Sequence, residues 1–260
     1  MTPPPLTVLK IGGSTLGRHD TSLDDIAALH ADGTRFVLVH GGGAAISEWL
    51  DRHGVESRFV RGLRVTDERA LEVVVAVLAG VVNKRLVAEL QGRGAPACGL
   101  SGADVAILRA RRFDPELGFV GEIVAVNVEP LESVAQGVVA VLAPIAVEVE
   151  GEAIRPQLLN VNADTAAGEV AAALQAERLV FLTDVPGVMD AAGAVQPRLT
   201  TSSARALIES GAVAGGMIPK VEAALRANEA GVPASIIDGR EAGALRAFLR
   251  GEAAIGTTVQ

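Results

Sequence analysis

The sequence predicts an α/β protein, a three-layer αβα sandwich around a mostly parallel sheet. Three observations predict it. Short β-branched apolar runs alternate with longer amphipathic segments almost from end to end. Those runs are apolar throughout rather than alternating with polar residues, as in parallel strands covered on both faces. The first two runs end in glycine clusters that lead into helical segments, the connection expected at the carboxyl edge of an open sheet.

Taken in order, residues 7–11 read as a strand closed by Gly12-Gly13, residues 23–30 as a helix and 36–39 as the next strand. Gly41-Gly42-Gly43 then opens a helix over 44–53. The apolar run 71–82 carries Glu72 near its start and Asn83-Lys84-Arg85 after it, the pattern of a buried helix. Residues 114–127 break the alternation and read as an inserted β-hairpin or meander. Further strands are expected at 138–142, 179–182 and 234–237, and helices at 163–174, 202–210, 219–230 and 241–249. Gly, Glu, Arg and Pro interrupt the apolar runs over 151–160, and a division into lobes 1–158 and 159–260 is placed there.

Composition narrows the function. The chain of 260 residues carries a formal charge of −8, with 49% hydrophobic and 21% charged residues, which excludes a disordered chain. Six Phe, one Trp and no Tyr, together with the acidic balance, argue against nucleic acid as a partner. Cys98 is the single cysteine, so neither a disulfide framework nor a cysteine zinc site is available. No apolar run reaches the roughly 18 residues of a membrane span. The first residues lack a basic stretch followed by an apolar one, so a cytoplasmic location is expected.

Lysine usage is the sharper signal. Twenty of the 23 basic residues are arginine; the lysines are Lys10, Lys84 and Lys220. Lys10 ends an apolar strand, a costly place for a charge unless an anion meets it there. Lys220 follows the loop Gly215-Gly216 at the opening of a helix. A compact ammonium at each glycine-rich end suits a migrating phosphoryl group. Lys84, like His40 and the other histidines, reads as structural. In the string from Asn160 to Ala167, Asn162 or Asp164 could cap the helix that follows, which leaves Asn160 unexplained. Asp164 could also orient two lysines through charge-assisted hydrogen bonds. Arg64, between a glycine and a Thr-Asp turn, could clamp a carboxylate. Thr183-Asp184, before the Pro186-Gly187 turn, could touch a nucleotide or simply cap a loop. The glycine turns could cradle an anion with backbone N–H groups or could merely be tight; neither has the spacing of a dinucleotide or P-loop fingerprint.

In order along the chain stand LKIGGS (9–14), VHGGG (39–43), GLRVTD (62–67), GLSGAD (99–104), NVNADTAAGE (160–169), LTDVPGV (182–188), GGMIPKV (215–221), IIDGR (236–240) and GTTV (256–259). This series resembles the amino-acid kinase family. GLRVTD and NVNAD are most similar to its members that phosphorylate N-acetyl-L-glutamate. The resemblance implies an αβα fold whose N-terminal lobe holds the acyl amino acid and a dimer contact, and whose C-terminal lobe holds ATP with Mg2+ on its phosphates. It implies that Lys10 and Lys220 stabilise the transferring phosphoryl group and that Asp164 organises both. Gly42, Gly43, Arg64 and Asn160 would bind the acceptor. Gly12, Gly13, Thr183, Asp184, Gly187, Gly215 and Gly216 would serve the nucleotide. No metal ligand from the protein itself is implied. A homodimer is expected, without the N-terminal helix of arginine-inhibited hexamers, because only nine residues precede Lys10.

Two other readings compete with this one. A sister kinase would act on carrier-protein-linked aminoadipate or glutamate, with Arg109, Arg111 and Arg112 receiving the acidic carrier unless they form a solvated charge cluster. A regulatory binding module that has lost catalysis could dispense with the set Lys10, Asp164 and Lys220.

Overall fold

The computed structural model describes residues 5–12 and 21–260. Gly13, expected to serve the nucleotide, lies outside the described residues, as does Ser14. The elements run β1 (Leu6–Ile11), α1 (Ser22–Ala31), β2 (Arg35–His40), α2 (Gly43–Arg52) and a short hairpin of β3 (Phe59–Val60) and β4 (Leu63–Arg64). Helix α3 (Glu68–Val75) runs through a π-helical stretch, Ala76–Val82, into α4 (Asn83–Gly92). Then follow β5 (Ala97–Ser101), β6 (Leu108–Arg112), β7 (Gly121–Val126), α5 (Glu129–Val134), β8 (Val139–Ala143), β9 (Ile145–Glu150), β10 (Ala153–Asn160) and α6 (Ala163–Ala173). The chain closes with β11 (Arg178–Thr183), β12 (Arg198–Leu199), α7 (Thr201–Glu209), α8 (Met217–Glu229), β13 (Ala234–Asp238), α9 (Ala244–Leu249) and β14 (Thr257–Val259).

The main sheet has the order β12-β14-β13-β11-β1-β2-β8-β5, and every pairing from β13 to β5 is parallel. Strand β14 alone runs against its neighbour β13. Because side chains alternate along a strand, each run feeds two cores. Val8, Val37, Val39 and Phe181 join the core under α5, α6, α7 and α8. Leu9, Ile11, Leu38 and Leu182 join the core under α1, α2, α3, α4 and α9. The same alternation sends Lys10 toward α6 and α8, and His40 toward the π-helical stretch and α4. These are the three layers expected.

The inserted hairpin is larger than 114–127. It begins at β6, pairs antiparallel with β7, and joins β9 and β10 in a second sheet of order β10-β9-β6-β7. Its first strand was hidden by charge: Leu108 and Ala110 are buried while Arg111 and Arg112 face outward. The polar stretch 151–160 is a turn at Gly151 followed by β10, so the expected division between residues 158 and 159 falls within a strand.

Candidate active site

Register brings the functional turns together. Ile11 pairs with His40 on one side and with Leu182 on the other, and Thr183 pairs with Asp238. The carboxyl ends of β13, β11, β1 and β2 therefore form one edge, where parallel open sheets bind ligands.

A cavity of about 210 Å³ opens at this edge, lined by Lys10, Gly41, Gly42, Gly43, Arg64, Asn160 and Asp164 among others. Lys10 is 5% exposed, as is Asp164. The Lys10 Nζ lies 2.7 Å from Asp164 Oδ1, an ionic approach without hydrogen-bond alignment. Lys220 Nζ donates to Asp164 Oδ2 at 3.2 Å and to the Gly216 carbonyl at 3.1 Å. One carboxylate thus holds two ammonium groups, leaving a net positive charge beside the cavity. Burial pushes the Lys10 pKa below 10.5; Asp164 pulls it back up, Lys220 pushes it down, and Asp184 adds a smaller upward pull.

The helix starts explain this placement. Asn162 is the N-cap of α6, its Oδ1 accepting from the N–H groups of Asp164 (2.8 Å) and Thr165 (3.1 Å). That frees the Asp164 side chain from capping. Helices α6 and α8 come close because Gly168 lacks a side chain: a Cβ there would lie 2.8 Å from the Ala223 carbonyl oxygen. This near contact, one turn along each helix, carries Lys220 to Asp164.

Arg64 is buried at 7% exposure. Its guanidinium donates to Gly43 O at 3.1 Å, Ser47 Oγ at 2.9 Å and Ser57 Oγ, and lies 4.6 Å from the centre of the Phe59 ring. Burial lowers its pKa, and none of these partners carries a charge. Asn160 Nδ2 donates to Thr66 Oγ1 at 3.1 Å, and Thr66 Oγ1 donates to the Arg64 carbonyl at 3.0 Å. Gly42 caps α2, where the helix start presents N–H groups and dipole to an anion. A Cβ on Gly42 would meet Leu78 Cδ2 at 2.6 Å, so glycine is required for close approach.

The nucleotide set is arranged differently. Gly12 follows β1 on the shared edge. Thr183 is buried, its hydroxyl 2.9 Å from Val185 O and 3.1 Å from Ile237 O, so it ties a turn rather than facing a ligand. Asp184 is exposed at the end of β11. Gly187, at φ 151°, would place a Cβ 2.7 Å from Thr257 Oγ1, which fastens the loop to the C-terminal strand. Gly215 and Gly216 are exposed before α8. Thr183 ends the strand that pairs with that of Lys10 and Asp184 follows it, but none of these residues lines the cavity.

Sequence reasoning passed over a chain of polar groups that runs from exposed Lys84 to buried Asn83 and His40 behind the glycine turn. Lys84 Nζ donates to Asn83 Oδ1 at 3.0 Å and to Gly99 O at 3.0 Å. Asn83 Nδ2 lies 3.2 Å from His40 Nε2, 3.2 Å from Leu100 O and 3.0 Å from Val141 O. His40 Nδ1 lies 3.0 Å from Gly41 O. Burial first, then the Lys84 charge, lowers the His40 pKa to about 4. The only sequence signal was Asn83-Lys84 ending an apolar run. Arg111 pairs with Glu122 and Arg112 with Glu148, while Arg112 also covers the Phe119 ring. That is the charge cluster, with its partners in the same small sheet.

The sequence pattern of the amino acid kinase family matches residues 5–238. Acetylglutamate kinase of Dehalococcoides mccartyi (strain CBDB1) is 44% identical over 256 residues, covering 98% of this chain and 94% of that protein. Acetylglutamate kinase of Methanopyrus kandleri is 45% identical over 247 residues, covering 91% and 96%. The crystal structure of smu.665 from Streptococcus mutans superposes with a TM-score of 0.81 at 29% identity, covering 98% of each chain.

Proposed function

The chain belongs to the amino acid kinase family, and we infer that it transfers the γ-phosphoryl group of ATP to the side-chain carboxylate of N-acetyl-L-glutamate, the phosphorylation used in arginine biosynthesis. The product is an acyl phosphate, N-acetylglutamyl 5-phosphate. The observation that carries the chemistry is Asp164 holding Lys10 and Lys220 beside a cavity that also contains Arg64.

The acceptor carboxylate is ionised at neutral pH, so no general base is needed. The difficulty is bringing two anions together and neutralising the charge that develops between them. In this reading Arg64 takes the α-carboxylate of the acceptor, since a buried guanidinium facing only neutral groups gains a counter-charge. Asn160 holds the acyl amino acid nearby. The start of α2 at Gly42 and Gly43 directs N–H groups to the reacting oxygens. Lys10 and Lys220 follow the phosphoryl group as it passes from donor to acceptor, and Asp164 holds both ammonium groups in place. Gly12, Gly13, Asp184, Gly187, Gly215 and Gly216 are proposed to receive the nucleotide, with Thr183 supporting the turn behind Asp184. Asp164 is committed to two lysines, which suits Mg2+ carried on the nucleotide phosphates rather than held by Asp164.

We further propose that residues 1–158 carry the acceptor site apart from Asn160, that 159–260 carry the nucleotide site apart from Gly12 and Gly13, and that the chain works as a cytoplasmic homodimer. No described helix is long and apolar enough to cross a membrane. The family resemblance supports the dimer, which light scattering tests. The ion pairs of Arg111 and Arg112 favour no acidic carrier protein.

The test is ATP-dependent acyl-phosphate formation, trapped with hydroxylamine, on N-acetyl-L-glutamate, glutamate and N-acetyl-aminoadipate side by side. Strong signal on N-acetyl-L-glutamate alone is expected. Silence on it, with ATP bound, would sink the reading.

A further inference from the structure

We propose that Lys84, Asn83 and His40 form a directed hydrogen-bond chain that ends on the Gly41 carbonyl and thereby orients and strengthens the Gly42 N–H as a donor to the reacting anion; all three are positioning residues. The inference deepens the kinase reading and rests on it.

The directions are fixed by the partners. Asn83 Nδ2 faces two backbone carbonyls, so it is the amide nitrogen, and Oδ1 is the acceptor that meets the Lys84 ammonium. The two hydrogens of this amide are shared among three acceptors, His40 Nε2 and the two carbonyls. Because an amide nitrogen does not accept, the ring nitrogen is the acceptor in its contact. The neutral ring then carries its proton on Nδ1, opposite the Gly41 carbonyl, and donates to it. Each donor is polarised by the one before it, and such chains strengthen cooperatively at low dielectric. The last acceptor matters most. Gly41 C=O and Gly42 N–H belong to one peptide unit, so charge drawn onto the oxygen makes that N–H a better donor.

The surroundings hold the chain in register. Gly99 leaves room for it: a Cβ there would fall 2.0 Å from Asn83 Oδ1 and 2.7 Å from Lys84 Nζ. Leu78, in the π-helical stretch that delivers Asn83, is also the side chain pressed against Gly42. π-Helical turns inside α-helices are often found at functional sites. The third lysine of a chain otherwise rich in arginine thus acquires a use.

The variants separate orientation from bulk. His40→Asn places an amide donor where Nδ1 stood but loses the acceptor for Asn83. His40→Gln keeps that acceptor and more of the ring's volume but loses the donor to Gly41. The expected result is that H40N, which keeps the donor to Gly41 but is cut off from Asn83, loses about fivefold in kcat while H40Q loses on the order of 30-fold, with the KM for ATP unchanged in both. A role in packing alone predicts the reverse order. Lys84→Met, at an exposed position, is expected to lower kcat about fivefold in the parent and less than twofold in the H40Q background, because the chain is already cut. The ring itself is read by 15N NMR of the unmodified protein, where His40 must show the Nδ1–H tautomer. An Nε2–H tautomer, an H40Q enzyme as fast as H40N, or a K84M effect that adds fully to H40Q would each overturn the proposal. An H40Q protein that does not fold leaves the tautomer and the K84M kinetics to decide. An inactive parent would remove the kinase reading instead, and the tautomer would still report on the chain.

Discussion

The proposed acceptor side of the site and the proposed nucleotide side are built to different standards. Arg64, Lys10 and Asp164 are buried and engaged, and a single methyl on Gly42 would strike Leu78. Around Asp184, Gly215 and Gly216 the chain is exposed, and a methyl on Gly215 or Gly216 would meet no described atom within 4 Å. A small acceptor with two carboxylates needs fixed counter-charges, whereas a nucleotide brings its own phosphates, ring and metal ion and can be met by turns. Lys220 joins the two sides, since its ammonium touches Asp164 while its helix starts in the exposed loop.

The largest expected effect comes from breaking the junction. Lys10→Ala and Lys220→Ala should each lower kcat on the order of 10³-fold or more with the fold intact by circular dichroism. Unaltered turnover in either variant would refute the mechanism. Arg64→Ala should raise the KM for N-acetyl-L-glutamate on the order of 100-fold while the KM for ATP stays within twofold, measured by the hydroxylamine assay. An equal rise in both would erase the distinction between the sides. Gly42→Ala should reduce kcat on the order of tenfold through the Leu78 clash, and Gly216→Ala, at φ −66° and in open space, by less than twofold.

Proton titrations sharpen the same contrast. In the proposed mechanism Lys10 keeps its proton to attract the phosphoryl group, and burial holds its pKa below 10.5. The alkaline fall of kcat/KM should therefore begin below the range of an ordinary lysine, and Asp164→Asn, which removes the attraction holding the proton, should move it lower still. His40 works in the opposite sense on stability. With its pKa lowered from 6.5 to about 4, the native state takes up this proton later than the unfolded chain does. The stability it contributes is complete above pH 6.5 and is lost as pH falls toward 4, by about 3 kcal/mol. Lys84 is the charged neighbour that adds to this shift. In urea titrations at pH 7 and pH 4.5 the parent should lose more stability between the two pH values than H40N does, with the slopes unchanged.

Legibility followed the same division. Lys10 stood out because a charge at the end of an apolar strand is costly, and the buried pair with Asp164 accounts for it. The open choice between Asn162 and Asp164 was resolved by the cap: only Asn162 receives the helix N–H groups. Thr183 was legible as a strand end but not as a side chain turned inward onto Ile237 O. Strand β6 was obscured by its arginines. His40 and Asn83 were unreadable because the distance between them, 43 positions, carries no local pattern. Their contact is made by the sheet face and by the helix that crosses it.

That helix keeps a phase. The π-helical stretch Ala76–Val82 joins two α-helical segments, and its wider turn sets the azimuth at which Asn83 and Lys84 leave the axis. Each residue advances an α-helix by about 100°. Deleting one apolar residue from this stretch, a change that would scarcely alter composition or hydrophobicity, would alter the rise and azimuth at which the downstream polar pair meets His40. What the stretch encodes is therefore a count of residues more than their chemistry, and insertions or deletions, rather than substitutions, are the changes it should tolerate least.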